Sequence, residues 1–414
     1  MDILVKNKIL SGSIGASPSK SYGQRALFLA LMAKKGASIK MHGPLAQDLE
    51  RALGLVRALA QVNIENNTYH IRPRLKDGVQ VNVGESATGL RLIISILGAM
   101  GLGARIKREG SLVSRTLAPY MEVLPKMGMT IKEEGHDLVI GGQLRPGTYP
   151  MPGDVSSQFI SGLLMGLSYL AQESRIDLTS DLGSKAYVSM TIEVMKAFGL
   201  PVKKEESSYI VGGGNSVKKE VFYEVEGDYS SALFFLGLGV GVRGLKKNSI
   251  QADRLALDYM KSSLGYVDRS KGDVLRLVQE RSPKDLRVID ADPMPDSVPI
   301  LSILSAAVPG TTRVVNIKRL RLKESDREES TLALLRSLGL SPQVEGDSFS
   351  FSYQGPFKSC RVNSFNDHRI AMAGAVASHF ANGDILIENA LVNAKSYPDF
   401  WDDLKSLGGE FYVQ

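Results

Sequence analysis

With a single cysteine, Cys360, in 414 residues, the chain cannot form an internal disulfide and has no basis for a cysteine-built metal site. No apolar run is long enough to span a bilayer, and the opening "MDILVKNKIL" lacks the apolar core of a signal peptide, so a cytoplasmic protein is expected. There is no concentrated basic stripe or tail: 50 basic and 44 acidic residues are spread along the chain for a net charge of +6. That balance suits a small anionic substrate better than nucleic acid. What remains is 43% hydrophobic and 23% charged, an ordinary globular composition long enough for two domains with substantial cores.

The most informative feature that is present is a repeat. Six times a short polar or glycine-containing loop runs into a helix-length segment of small and apolar residues: "SPSKSYGQRALFLALMA", "GESATGLRLIISILGAM", "GDVSSQFISGLLMGLSYL", "GDYSSALFFLGLGVGV", "MPDSVPILSILSAAVPG" and "FNDHRIAMAGAVASHF". Marked by Ser19, Ser86, Ser156, Tyr229, Asp296 and Asp367, the copies recur every roughly 70 residues, the size of a small α/β unit rather than a solenoid repeat. Strand-like stretches lie between them, such as "GHDLVIGG", "SYIVGGG" and "DILIENA". The helices are apolar nearly all round, which places them inside each unit.

A helix start carries unpaired N–H groups and partial positive charge, so six starts directed at one place would trap anions. Their loops supply Lys20, Ser21 and Arg25; Thr88 and Arg91; Ser156, Ser157 and Gln158; and His368 and Arg369. Taken singly, each loop reads as a cap; six loaded with hydroxyls and cations suit a ligand with several phosphate or carboxylate groups. A second charged stretch, "RLRLKESDREES", crowds Lys323, Glu324, Asp326 and Arg327 together. Its alternation from Arg319 to Lys323 predicts a strand, and Ser325 with Glu328 predicts a capping box before a helix carrying Leu332, Leu335 and Leu338 and ending at Gly339.

Together, "KSYGQRALFLALMA", "GDVSSQFISGLLM", "GDYSSA", "MPDSVPILSILSAAVPGTTR", "RLRLKESDR", "NDHRIAMAGAVA" and "AKSYPDFWDDLKSLGG" resemble the 5-enolpyruvylshikimate-3-phosphate (EPSP) synthase family, also called the 3-phosphoshikimate 1-carboxyvinyltransferase family, from about Leu10 to Gly409. The resemblance implies an α/β fold, a two-domain inside-out α/β barrel of six βαβαββ units, three per domain. Residues 20–226 would form one domain and residues 1–19 with 227–414 the other, with the active site in the cleft between them. It also implies a shikimate-pathway transferase that moves the enolpyruvyl group of phosphoenolpyruvate to the 5-hydroxyl of shikimate 3-phosphate. Neither cofactor nor metal is implied, nor is a nucleic-acid or membrane partner, and a monomer is expected.

By resemblance Asp296, Glu324 and Lys20 would be catalytic. Shikimate 3-phosphate would be held by Lys20, Ser21, Arg25, Ser156, Ser157, Gln158, Ser184, Asp296 and Lys323, with Tyr187 packing nearby. Phosphoenolpyruvate would meet Lys20, Ala87, Thr88, Arg115, Gln158, Arg327, Arg369 and Lys395. His368 and Cys360 read as structural. The chain departs from the family pattern in "GESATGLRL", where Glu85, Ala87 and Leu92 replace Asn, Gly and Pro. Ser111 falls where some members have an arginine, which shifts that expected contact to Arg115, and Arg319 stands where many have Asn. Ala87 would crowd glyphosate, which occupies the phosphoenolpyruvate site in this family. Two alternatives share the fold: the transferase acting on UDP-N-acetylglucosamine, which usually carries a cysteine in its first domain, and a nucleic-acid-binding relative.

Overall fold

The computed structural model describes residues 1–214, 217 and 219–414. Contacts divide the chain into two units: Met1–Ser17 with Gly227–Gln414, called the first unit, and Pro18–Glu226, the second. No helix of the described residues is long and apolar enough to cross a membrane.

Six helices fill the two cores: α1 (Lys20–Ala30), α2 (Ala87–Met100) and α3 (Ser157–Leu167) in the second unit, and α4 (Tyr229–Leu236), α5 (Val298–Ala306) and α6 (His368–Ala377) in the first. All eight residues of α4, all nine of α5 and all ten of α6 are buried, as their largely apolar sequences predict. These helices begin at the six repeated loops, so the repeat is a repeat of structure.

Each helix belongs to one small sheet. In the second unit Val79–Asn82, Ala104–Lys107, Asp137–Gly142 and Met129–Glu134 lie side by side in that order, the first pair parallel and the others antiparallel. The same order and sense recur for Thr148–Met151, Ser174–Leu178, Ser208–Val211 and Val202–Lys204. They recur again for Val221–Glu224, Ala37–Lys40, Thr68–Pro73 and Ala60–Glu65, whose first strand comes from the far end of the segment. The first unit repeats the pattern with Leu286–Asp290, Thr311–Val315, Ser348–Ser352 and Gln343–Glu345. Its next sheet runs Cys360–Asn363, Ile385–Glu388, Ile3–Val5 and Phe411–Val413, so a strand from the start of the chain sits inside a sheet made from its end. The sixth sheet pairs Ser13–Gly15 with Gly241–Arg243, which a bridge from Val242 to Leu275 links to the hairpin of Tyr266–Asp268 and Leu277–Gln279. These are six βαβαββ units, three in each half.

Close approach of α2 and α3 depends on glycine. A Cβ on Gly162 would overlap the Tyr120 hydroxyl and the Arg91 carbonyl, and one on Gly166 would overlap the Ser95 carbonyl. The two helices therefore touch backbone to backbone, which brings their starts together.

Two local expectations are corrected. Arg319 to Lys323 is not a strand: Lys318–Leu322 is a 3₁₀ helix, closed by i+3 bonds from Leu320 N to Ile317 O (2.9 Å) and Lys323 N to Leu320 O (3.3 Å). Leu320 is buried but Leu322 is 59% exposed, so the alternation does not define one apolar face. The capping box is also displaced. Asp326 caps the helix Arg327–Ser337 by accepting from Glu329 N at 3.1 Å, while Glu328 pairs with Arg321 and the Ser325 hydroxyl donates to Asp367 Oδ2 at 3.0 Å. Aspartate caps as well as serine does, so the sequence offered two starts one residue apart. Leu332, Leu335 and Leu338 are buried, and Gly339, at φ +95°, follows the helix end.

Candidate functional site

In the first unit the starts of α4, α5 and α6 share one charged cluster. Arg327, fully buried, donates from Nη1 to Asp296 Oδ1 at 2.6 Å and from Nη2 to Glu324 Oε2 at 2.5 Å. Its Nε reaches Asp367 Oδ2 at 3.0 Å and its Nη2 also reaches Asp367 Oδ1 at 3.2 Å. A guanidinium has five N–H donors, so these four bonds leave a single donor, on Nη1, for anything else. Burial pulls the Arg327 pKa down, but the carboxylates of Asp367, Glu324 and Asp296 hold it above the usual arginine value. Arg327 thus fixes the two expected catalytic carboxylates relative to each other, a larger role than the anion clamp expected from sequence.

Asp296 also faces Lys323 Nζ at 3.3 Å and Arg369 Nη2 at 3.6 Å. Burial lowers the Lys323 pKa, with Asp296 opposing it. Arg369, 2% exposed, donates from Nη2 to Ser230 Oγ at 2.7 Å, and Ser230 donates to Asp228 Oδ1 at 2.6 Å. Burial works against its charge, yet Asp296, Asp228 and Asp253 raise its pKa. Its Nε and Nη1 are buried without a hydrogen-bond partner among the described residues, which leaves three N–H donors for an anion. Lys395 ends the 3₁₀ helix Ala390–Lys395 and donates to the Asn366 carbonyl at 3.1 Å, beside the start of α6. His368 is buried at the first position of α6, with Nδ1 3.9 Å from Asp367 Oδ1. Cys360 is half-buried against the core, and burial raises its thiol pKa.

Sequence reasoning missed four acids here. Asp228 and Asp367 cap α4 and α6 through Ser231 N and Arg369 N, and both stand in the motifs "GDYSS" and "NDHR", where a cap signal was readable. Asp292, which holds Arg319 at 2.9 Å, and Asp253 carried no motif. Asp253 accepts from Ser297 Oγ at 2.6 Å, and burial, reinforced by Asp296, raises its pKa to about 6.

In the second unit the starts of α1, α2 and α3 are tied to one another. Gln24 of α1 donates to Ser86 Oγ at 2.8 Å, and Gln158 of α3 donates to Thr88 Oγ1 of α2 at 2.7 Å. Arg91 reaches back to Gln158 Oε1 at 2.7 Å and to the Thr116 carbonyl at 3.0 Å, with its guanidinium 4.6 Å from the centre of the Phe159 ring. Burial, and secondarily Arg115, lowers its pKa to about 10, so Arg115 brings a second cation to the same place. Ser86 and Ser156 are caps, accepting from Gly89 N and Gln158 N. Ala87 and Ser157 are the first residues of α2 and α3, where backbone N–H groups lack helical partners.

Lys20 opens α1 and pairs with Asp48 at 3.1 Å. Arg25, 1% exposed, donates to Thr191 Oγ1 at 2.7 Å and to the carbonyls of Ser21 and Tyr187 at 2.8 and 3.1 Å. Burial lowers its pKa to about 10. Ser184, at φ +50°, stands immediately before the helix Lys185–Ala197 that carries Tyr187 and Thr191. Two departures from the family pattern meet: Ser111 Oγ donates to Glu85 Oε2 at 3.2 Å. Every site residue expected from sequence in this unit therefore lies at the start of α1, α2 or α3, or on a segment bound to one.

Both clusters set fixed cations at helix starts, and the first adds paired carboxylates, an arrangement chemically suited to small polyanions. A profile of the family described as EPSP synthase (3-phosphoshikimate 1-carboxyvinyltransferase) matches residues 4–404. The chain is 34% identical over 418 residues to the 3-phosphoshikimate 1-carboxyvinyltransferase of Clostridium acetobutylicum, covering 97% of this chain and 96% of that one. The EPSP synthase structure from Acinetobacter baumannii superposes with a TM-score of 0.81 at 22% identity, covering all of both chains. The enolpyruvyl transferase NikO from Streptomyces tendae gives 0.78 at 16% identity, covering 99% of this chain and 98% of that one. At those identities the two structures speak for the fold alone. The chain belongs to the EPSP synthase family.

Proposed function

We propose that this chain transfers the enolpyruvyl group of phosphoenolpyruvate to the 5-hydroxyl of shikimate 3-phosphate and releases phosphate, as a cytoplasmic monomer without a cofactor. The observation that carries the proposal is the Arg327 guanidinium joined to both Asp296 and Glu324. Addition needs a base for the hydroxyl proton and an acid for C3 of the enol, and both must be held at one reacting centre.

Asp296, surrounded by Lys323, Arg327 and Arg369, takes the 5-hydroxyl proton as the oxygen bonds to C2. Glu324 delivers a proton to C3. The tetrahedral adduct then loses phosphate from C2 and returns a C3 proton to the Glu324 carboxylate, which restores both the acid and the double bond. Lys20, Ser21, Arg25, Ser156, Ser157, Gln158 and Ser184 hold shikimate 3-phosphate together with Asp296 and Lys323. Arg369 and Lys395, with Arg327, Arg115, Lys20, Gln158 and the helix start at Ala87 and Thr88, hold the phosphate and carboxylate of phosphoenolpyruvate. Fixed cations stabilise the charge that collects on the departing phosphate. The UDP-N-acetylglucosamine and nucleic-acid alternatives are not favoured, since the family profile and the bacterial relative both carry the 3-phosphoshikimate name.

The test is phosphate release with each substrate alone and with both, before and after chelation. Release that requires both and survives chelation is the expected result. Release with phosphoenolpyruvate alone, or loss on chelation that a divalent ion reverses, refutes the proposal.

A further inference from the structure

Two segments of the second unit that bear expected anion contacts are fastened together at base and tip. The first, Asn82 to Thr88, leads into α2; the second is the 3₁₀ helix Gly110–Ser114, which ends at Arg115. Glu109 N donates to the Gly84 carbonyl at 2.9 Å. Asn82 accepts from Gly84 N at 2.7 Å and donates to Glu109 Oε1 at 2.8 Å. These bonds hold the bases of the two segments. At their tips, Ser111 Oγ donates to Glu85 Oε2 at 3.2 Å.

The backbone under that contact is shaped for it. Gly110 sits at φ +51°, in the left-handed region, and a Cβ there would overlap the Glu85 carboxylate. The carboxylate therefore lies directly on the Gly110 backbone, and Ser111 closes over it. Four residues on, the chain turns into extended backbone at Arg115, whose charge is felt at Arg91.

We propose that Glu85 is a positioning residue: its carboxylate latches the Gly110–Ser114 turn and so sets where Arg115 stands relative to the start of α2. This rests on the reading above that Arg115 contacts phosphoenolpyruvate. The latch does not touch the reacting atoms, so its loss weakens phosphoenolpyruvate binding and leaves the chemical step nearly intact.

The experiment compares Glu85→Ala, Glu85→Gln, Ser111→Ala, the double variant Glu85→Ala/Ser111→Ala and Arg115→Ala, by KM for each substrate and by kcat. Expected for Glu85→Ala is about a ten-fold rise in KM for phosphoenolpyruvate, with kcat and KM for shikimate 3-phosphate within about two-fold. Glu85→Gln, which keeps an acceptor of the same shape for Ser111, should recover most of the loss. The double variant should be no worse than Glu85→Ala alone, because both changes break one contact. If Arg115→Ala impairs phosphoenolpyruvate binding while Glu85→Ala and Glu85→Gln bind it normally, the latch is refuted and the role of Arg115 stands. If Arg115→Ala itself binds phosphoenolpyruvate normally, the reading of Arg115 fails and the latch fails with it. A loss in Glu85→Ala that falls equally on both substrates, or that Glu85→Gln does not recover, also refutes the latch.

Discussion

Arg327 shows how one side chain can define a site. Its bonds to Asp296, Glu324 and Asp367 keep three carboxylates together that would otherwise repel one another. Within that frame, Asp296→Asn and Glu324→Gln should each lower turnover by about 10² or more, since each removes an acid or base, while substrate binding changes far less. Steady-state rates and direct binding measurements test both; near-normal turnover in either variant removes that residue from its role. Asp253 makes a different prediction. Its folded pKa of about 6, raised by burial and by Asp296, exceeds the ordinary aspartate value of about 3.9. Between those values the folded chain binds a proton that the unfolded chain releases, so its contribution to stability is present in acid and is lost as pH rises through 6. Asp253→Asn should therefore raise the urea midpoint at pH 8, and the gain should shrink toward pH 4. Equal midpoints for variant and parent at both pH values would contradict the sign.

At the scale of elements, the meeting of α2 and α3 matters most, because it aligns Thr88, Arg91, Ser156 and Gln158. Gly166→Ala would push a methyl group into the Ser95 carbonyl and should cost about 1–3 kcal/mol as overpacking. It should also weaken substrate binding as the Arg91 to Gln158 contact shifts. Urea denaturation combined with KM values tests this, and an unaltered midpoint would show that the helices can part without cost. The core helices were legible in the sequence because their apolar runs, opened by Ser or Asp, admit few other readings. The shorter elements were less so. In Leu286–Asp290 the apolar Leu286 and Val288 face out at 68% and 53% exposure, while Arg287 is buried. Arg287 bonds the carbonyls of Ser305, Val308 and Pro309 just at and beyond the end of α5, partners that no local pattern reveals. The same limit applies to the site. Residues inside the quoted motifs could be found from sequence, whereas Asp253 and Asp48 act through partners far away in the chain.

At the scale of the molecule, the two units differ in how they are assembled from the chain. Pro18–Glu226 is one continuous stretch whose three sheets are closed within it, since Val221–Glu224 returns to pair with Ala37–Lys40. A fragment of residues 18–226 should therefore fold alone with a cooperative urea transition, whereas one ending at residue 214 should lose much of that stability with its missing edge strand. A broad, non-cooperative transition for the longer fragment would count against independence. The other unit depends on Ile3–Val5, which lies between Ile385–Glu388 and Phe411–Val413. On the ribosome this is a matter of timing. The strand is made well before either of its partners, Ile385–Glu388 and Phe411–Val413, so it must remain unpaired and soluble while the intervening 18–226 segment completes its own fold.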